Sequence, residues 1–241
     1  MKEWIGLGKE GDLYDIQYNG QTTEMLGVYL YDYPEFSGAE KQYDEWAVSG
    51  RKGCLVGKDT GKNNLKISCT FGILSPEFMQ NIRRLKQWLS GTGELILSDS
   101  PEVYYRVNKI DYGSLERELR RYGRFSVTFN CMPFEYLQEG KKAYPADEVR
   151  YNPYSLCSPV YQITGEGKCT LTVNGNRMTA DVAGDLMIDT DRMMAYKKDG
   201  TVRNTTVSGD YDSLMLNPGE NTVSITAGFS LMVIPNWGYD I

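Results

Sequence analysis

The chain contains no histidine among its 241 residues. Ser-His-Asp and Cys-His mechanisms are thereby excluded. Cysteine is scarce and odd in number: Cys54, Cys69, Cys131, Cys157 and Cys169, with no pair at CxxC spacing. A zinc site needs closely spaced Cys and His ligands, so no metal is expected. The expected state of these cysteines is reduced thiols packed in strands. No apolar run approaches the roughly 18 residues of a membrane helix, so no membrane span is expected. The start, Met1 to Gly6, lacks the apolar core of a signal peptide, which predicts synthesis and folding in a cytoplasm. Long basic runs are also missing. Only Arg117 to Arg124 concentrates positive charge, and Glu118 and Gly123 interrupt it. With a net charge of −6, a nucleic-acid groove is disfavoured.

What is present suits packed β-structure. Hydrophobic residues make up 41% and aromatics 12%, with 18 tyrosines, enough for real cores and for strand faces. The length fits one large or two small domains. The best-patterned stretch is Phe125 to Cys131. Phe125, Val127, Phe129 and Cys131 alternate with Ser126, Thr128 and Asn130, the period of a strand with one face on a core. Pro133 then stops it, because proline has no N–H for a sheet. Further strands are read at Asp12 to Tyr18, running into an Asn19-Gly20 turn, and at Leu26 to Tyr33, Leu65 to Phe71, Glu94 to Ser98 and Val103 to Asp111. Tyr43 to Ser49 reads as extended and Gly50 to Gly61 as a surface hairpin or arm. One helix is predicted. Ser75 serves as N-cap, Pro76 opens it, Phe78, Ile82, Leu85 and Leu89 form its apolar stripe, and Ser90-Gly91 closes it. Gly113 to Gly123 reads as a charged connection, either a helical turn or a broad hairpin loop.

Gln138 to Asn152 is polar and poor in large apolar residues. It marks a boundary between domains 1–137 and 138–241. Beyond it, short strands and strong turns follow in the rhythm of a sandwich, with Asn174-Gly175 the sharpest hairpin signal. The expected fold is mainly β. It pairs an N-terminal sandwich- or barrel-like β-structure carrying one α-helix with a C-terminal galectin-like or jelly-roll sandwich of eight strands.

The candidate chemistry is thin. Asp181, Asp185, Asp189, Asp191 and Asp199 cluster as a calcium site would require, but turn geometry explains them better. Glu166 and Asp189 are nominal partners for glycoside hydrolysis, with nothing to set their separation. Gly6 to Gly11 matches GxGxxG without the flanking strand and helix of a dinucleotide site, so it reads as chance and no cofactor is expected. Tyr154, Tyr161, Tyr196, Tyr211, Trp237 and Tyr239 could stack on sugar rings or pack in a core. Tyr154, Tyr196 and Trp237 are the candidate sugar or partner contacts.

Taken in order, these motifs resemble the distal tail (Dit-like) proteins of siphovirus-type phages and prophages. The features that carry the resemblance span almost the whole chain. They are the Gly11 to Ile16 strand, the Leu65 to Phe71 strand before the Phe78 to Leu89 helix, the Leu95 to Ile110 strand pair and the Phe125 to Phe134 exit. In the second half they are Asn152, Ser158-Pro159, Ile163 to Gly167, Thr170 to Gly175, Ile188-Asp189 and Leu216 to Asn221. The resemblance implies a structural virion protein with no enzymatic role. The first domain would form a ring, hexameric in that family, that joins the tail tube to a tail-tip hub or fibre protein. The outward sandwich would carry a receptor-binding protein or meet a host glycan. It also implies location at the virion tail tip. Leu26 to Tyr33 and Gly50 to Gly61 are then the expected ring and arm segments. The competing reading is a carbohydrate-binding sandwich for attachment to a host surface.

Overall fold

The computed structural model describes residues 14–241. It is mainly β with one α-helix, and the chain divides into two compact units, one ending at Glu135 and also taking in Ile241, the other Tyr136–Asp240. The GxGxxG match at Gly6 to Gly11 lies outside the described residues.

The first unit is built from β1 (Ile16–Tyr18), β2 (Gln21–Thr22), β3 (Tyr29–Leu30), β4 (Glu35–Gly38), β5 (Lys41–Ala47), β6 (Cys54–Lys62) and β7 (Leu65–Leu74). Helix α1 (Phe78–Trp88), β8 (Gly93–Leu97), β9 (Val103–Leu119) and β10 (Tyr122–Cys131) complete it. The main sheet runs β2-β1-β8-β9-β10-β7-β3, and β4 continues along the same side of β7 as β3. The alternating stretch forms most of β10. Phe125, Val127, Phe129 and Cys131 are all buried, and opposite them on β7 stand Phe71, Cys69, Ile67 and Leu65. Each large apolar side chain buried this way contributes roughly 1.5–3 kcal/mol. On the other face Ser68 and Thr128 share a 3.0 Å hydroxyl hydrogen bond, and Asn130 donates to Asp111 at 2.9 Å.

Helix α1 packs its Phe78, Ile82, Leu85 and Trp88 stripe into this core. The Trp88 indole N–H donates to the Tyr18 carbonyl at 2.9 Å, and the Tyr18 hydroxyl donates to the Gly91 carbonyl at 3.0 Å. Tyr18 in turn packs against Phe129, with ring centroids 5.6 Å apart. The helix starts three residues after the expected cap, at Phe78. Ser75 instead accepts a hydrogen bond from the Glu77 N–H and holds a turn ahead of the helix.

Two other expectations for this unit are corrected. Gly113 to Gly123 is neither helix nor broad loop. β9 continues through it to Leu119, and only Arg120 and Arg121 turn the chain before β10. From Asp111 to Leu119 its residues are all exposed, so no apolar alternation reveals the strand. Leu26 to Tyr33 holds only a two-residue strand. Glu24–Leu26 is a 3-10 turn closed by Gly27 at φ 65°.

Past β11 (Phe134–Leu137), the second unit contains β12 (Tyr144–Pro145), β13 (Tyr151–Asn152), β14 (Val160–Val173), β15 (Asn176–Asp189) and β16 (Met194–Tyr196). Then come β17 (Val207–Ser208), β18 (Gly219–Glu220), β19 (Val223–Ile225), β20 (Ser230–Ile234) and β21 (Gly238–Asp240). Its central sheet runs β12-β20-β14-β15-β16, with β19 also on β14 and β17 also on β15. The sequence suggests four short strands between Val160 and Thr190. The structure has two long ones. Gly165, Gly167 and Gly184 take positive φ in mid-ladder, and the pairing runs through them unbroken. The two halves of β14 serve different neighbours, β20 before these glycines and β19 after them. Asn174 and Gly175, both at positive φ, make the tight turn between β14 and β15. Asp212–Leu214 is a 3-10 turn, followed by a single bridge from Leu216 to Cys157.

Candidate functional site

Among the described residues, no group of three His, Cys, Asp or Glu side chains could hold a metal ion. Three of the five aspartates weighed as a calcium cluster serve the backbone. Asp189 accepts from the Arg192 N–H at 3.0 Å, Asp185 from the Lys198 N–H at 2.7 Å and Asp199 from the Thr201 N–H at 2.8 Å. The bond from Thr201 holds the Asp199 carboxyl below its ordinary range. Glu166 and Asp189 do not form a hydrolytic pair. Asp189 stands opposite Val160 and Glu166 stands six positions further along β14. At about 3.3 Å per residue that is about 20 Å, well beyond either carboxylate spacing used in glycoside hydrolysis.

The candidate sugar contacts fall in two places. Tyr154 and Trp237 come together, with Tyr144 and Tyr239 beside them. Trp237 lies 5.1 Å from Tyr144 and 5.9 Å from Tyr154, and Tyr154 meets Tyr239 edge-on at 5.4 Å. The Tyr154 hydroxyl donates to Glu139 at 2.6 Å. That hydrogen bond, with partial burial, pushes the phenol up to about 12. Tyr196 is elsewhere, on β16, with its hydroxyl donating to Asp189 of β15 at 3.4 Å. Tyr161 is a core residue that donates to the Leu214 carbonyl at 2.7 Å, and the Tyr211 hydroxyl is buried.

The most conspicuous surface feature is in the first unit. β5 and β6 pair only with each other among the described residues, as a separate two-stranded ribbon. Every residue of β5 is exposed. Tyr43, Trp46, Val48, Leu55 and Val56 all present large apolar surface to solvent, Val56 at 61%. Trp46 stands directly opposite Leu55 and lies across Gly57, where a Cβ would meet its ring at 2.4 Å. A two-stranded ribbon is marginal in water by itself, and an exposed apolar cluster marks a contact surface. The arm reading covered only Gly50 to Gly61, and the signal it missed is Tyr43 and Trp46 set among charged residues.

No family model matches the chain, and no curated protein matches it. Solved structures share its fold. Among them is the crystal structure of the Dit (gp 19.1) protein of SPP1, described as a paradigm of the hub adsorption apparatus in phages that infect Gram-positive bacteria. The similarity has a TM-score of 0.60 at 13% identity and covers 92% of this chain and 98% of that one. The chain therefore has a Dit-like fold. No described helix is long and apolar enough to cross a membrane.

Proposed function

We propose that this chain is a distal tail protein of a siphovirus-type phage or prophage, a structural component of the tail-tip hub. The observation that supports this most is the Dit-like fold across 92% of the chain. In this reading the first unit assembles as a ring, with six copies the expected number. The ring joins the tail-tube protein to the tail-associated hub or fibre protein. The second unit is a galectin-like sandwich available to a receptor-binding protein. The protein resides in the virion and performs no catalytic step. A hub needs large complementary surfaces, and the exposed ribbon β5–β6 suits that need.

Light scattering at increasing concentration, together with co-purification with the tail-tube and hub proteins from the same phage, tests the proposal. Assembly into a closed oligomer that captures those partners is the expected result. A protein that stays monomeric at every concentration and captures neither partner overturns it.

A further inference from the structure

The first unit separates its charges along the chain. From Tyr14 to Glu40 there are five acidic residues, Asp15, Glu24, Asp32, Glu35 and Glu40, and no Lys or Arg. From Trp46 to Lys58 there are three basic residues, Arg51, Lys52 and Lys58, and no acid. The acidic stretch ends in β4, which pairs with β7 on one side only among the described residues. Beside its carboxylates it exposes Tyr33 (71%) and Phe36 (51%). The basic stretch is the distal half of the ribbon, where Trp46, Val48, Leu55 and Val56 are exposed. One surface is thus an open strand edge that carries Asp32, Glu35 and Glu40 with two aromatics and has Lys66 opposite Ser37, and the other is a ribbon tip that carries Arg51, Lys52 and Lys58 with an apolar cluster and has Glu45 opposite Val56.

We propose that the ribbon tip, Trp46 to Lys58, docks on the Asp32 to Glu40 edge of a second copy of this chain. Opposite charge selects the partner surface, apolar contact covers the ribbon, and the open edge of β4 offers backbone groups for strand addition. Lys41 pairs with Lys62 at the ribbon's base and Ala47 with Cys54 at its tip, about 20 Å along the ribbon, and the tip is exposed. Because the two patches differ, each copy offers both, which is the heterologous geometry that closes rings. The inference rests on the ring reading above and names the surfaces that would make it.

The chain carries its own probe. Cys54 at the tip is exposed, while Cys69, Cys131, Cys157 and Cys169 are buried. Full-length Phe36→Cys and Tyr33→Cys variants are treated with a short bismaleimide at a concentration where light scattering shows assembly. The expected result is a ladder of covalent oligomers on a denaturing gel, with peptide mapping that joins Cys54 of one copy to the new cysteine of the next. Arg51→Glu/Lys52→Glu should weaken assembly about tenfold, and adding Asp32→Lys/Glu35→Lys should restore it. These positions are all exposed, so loss followed by rescue is not a folding effect. Assembled protein that gives no such cross-link from either variant, or no rescue by the charge swap, overturns the contact and leaves the ring reading standing. Failure of the wild-type chain to assemble at any concentration overturns both. Ribbon cross-links to a co-purified tail protein in place of a second copy also overturn it.

Discussion

Cys69 and Cys131 lie on neighbouring strands of the first unit, and burial pushes each thiol up to about 12. For Cys69 the nearby Cys131 adds to the shift. A thiol with pKa near 9 in the unfolded chain and about 12 in the folded one favours folding while both forms stay protonated. That contribution is complete below pH 9 and is lost as pH rises from about 9 towards 12. The urea midpoint should therefore fall across that window, and Cys69→Ala/Cys131→Ala should flatten part of the fall. The same burial governs reactivity, since the thiolate is the nucleophile. At pH 8 a maleimide should label Cys54 alone in the folded protein and all five cysteines after denaturation, read by intact mass. Phe129 is fully buried against Tyr18, so Phe129→Ala should cost about 3–5 kcal/mol, measured by urea unfolding.

Strands whose two faces differ were legible in the sequence. β7 and β10 alternate apolar and polar residues, and the structure places those residues in register across one core. The helix stripe and the Asn-Gly turns were legible for similar reasons, because each depends on a local pattern. The outer half of β9 was not. Its residues are exposed on both faces, so pairing with β10 alone holds it extended, and pairing partners leave no periodic trace. The glycines in mid-ladder of the β14–β15 hairpin misled in the opposite direction. Positive φ serves turns and bends alike, so Gly165 and Gly167 looked like the end of a strand. Of the aromatic cluster around Trp237, Tyr154, Trp237 and Tyr239 were named in advance and Tyr144 was not, because it comes from a segment far from Trp237 in sequence, while Tyr196 fell elsewhere. The ribbon has no part in the core, and that independence is testable. Replacing Gln42 to Gly61 with a short Gly-Ser link should leave the unfolding free energy within about 0.5 kcal/mol of wild type. The same change should abolish self-association, measured by sedimentation.

Assembly of the whole molecule sets two electrostatic terms against each other. Each copy carries a net charge of −6, so bringing copies together costs repulsion. The basic ribbon tip and the acidic edge attract. Added salt screens both, and the two terms predict opposite responses. If repulsion between whole copies dominated, salt would promote assembly. If the local contact dominates, salt would oppose it. Distance decides between them. Net charges on neighbouring copies are separated by much more than the Debye length of about 8 Å at physiological ionic strength, so that repulsion is already largely screened. Contacting charges sit a few ångströms apart and remain coupled. Raising NaCl from about 0.15 M to about 0.5 M should therefore shift the protein from oligomer towards the 27.3 kDa monomer in sedimentation equilibrium. Arg51→Glu/Lys52→Glu should remove that salt response, because it leaves no attraction to screen. An oligomer that instead grows with salt in the wild-type chain would assign assembly to apolar burial and refute a charge-selected contact.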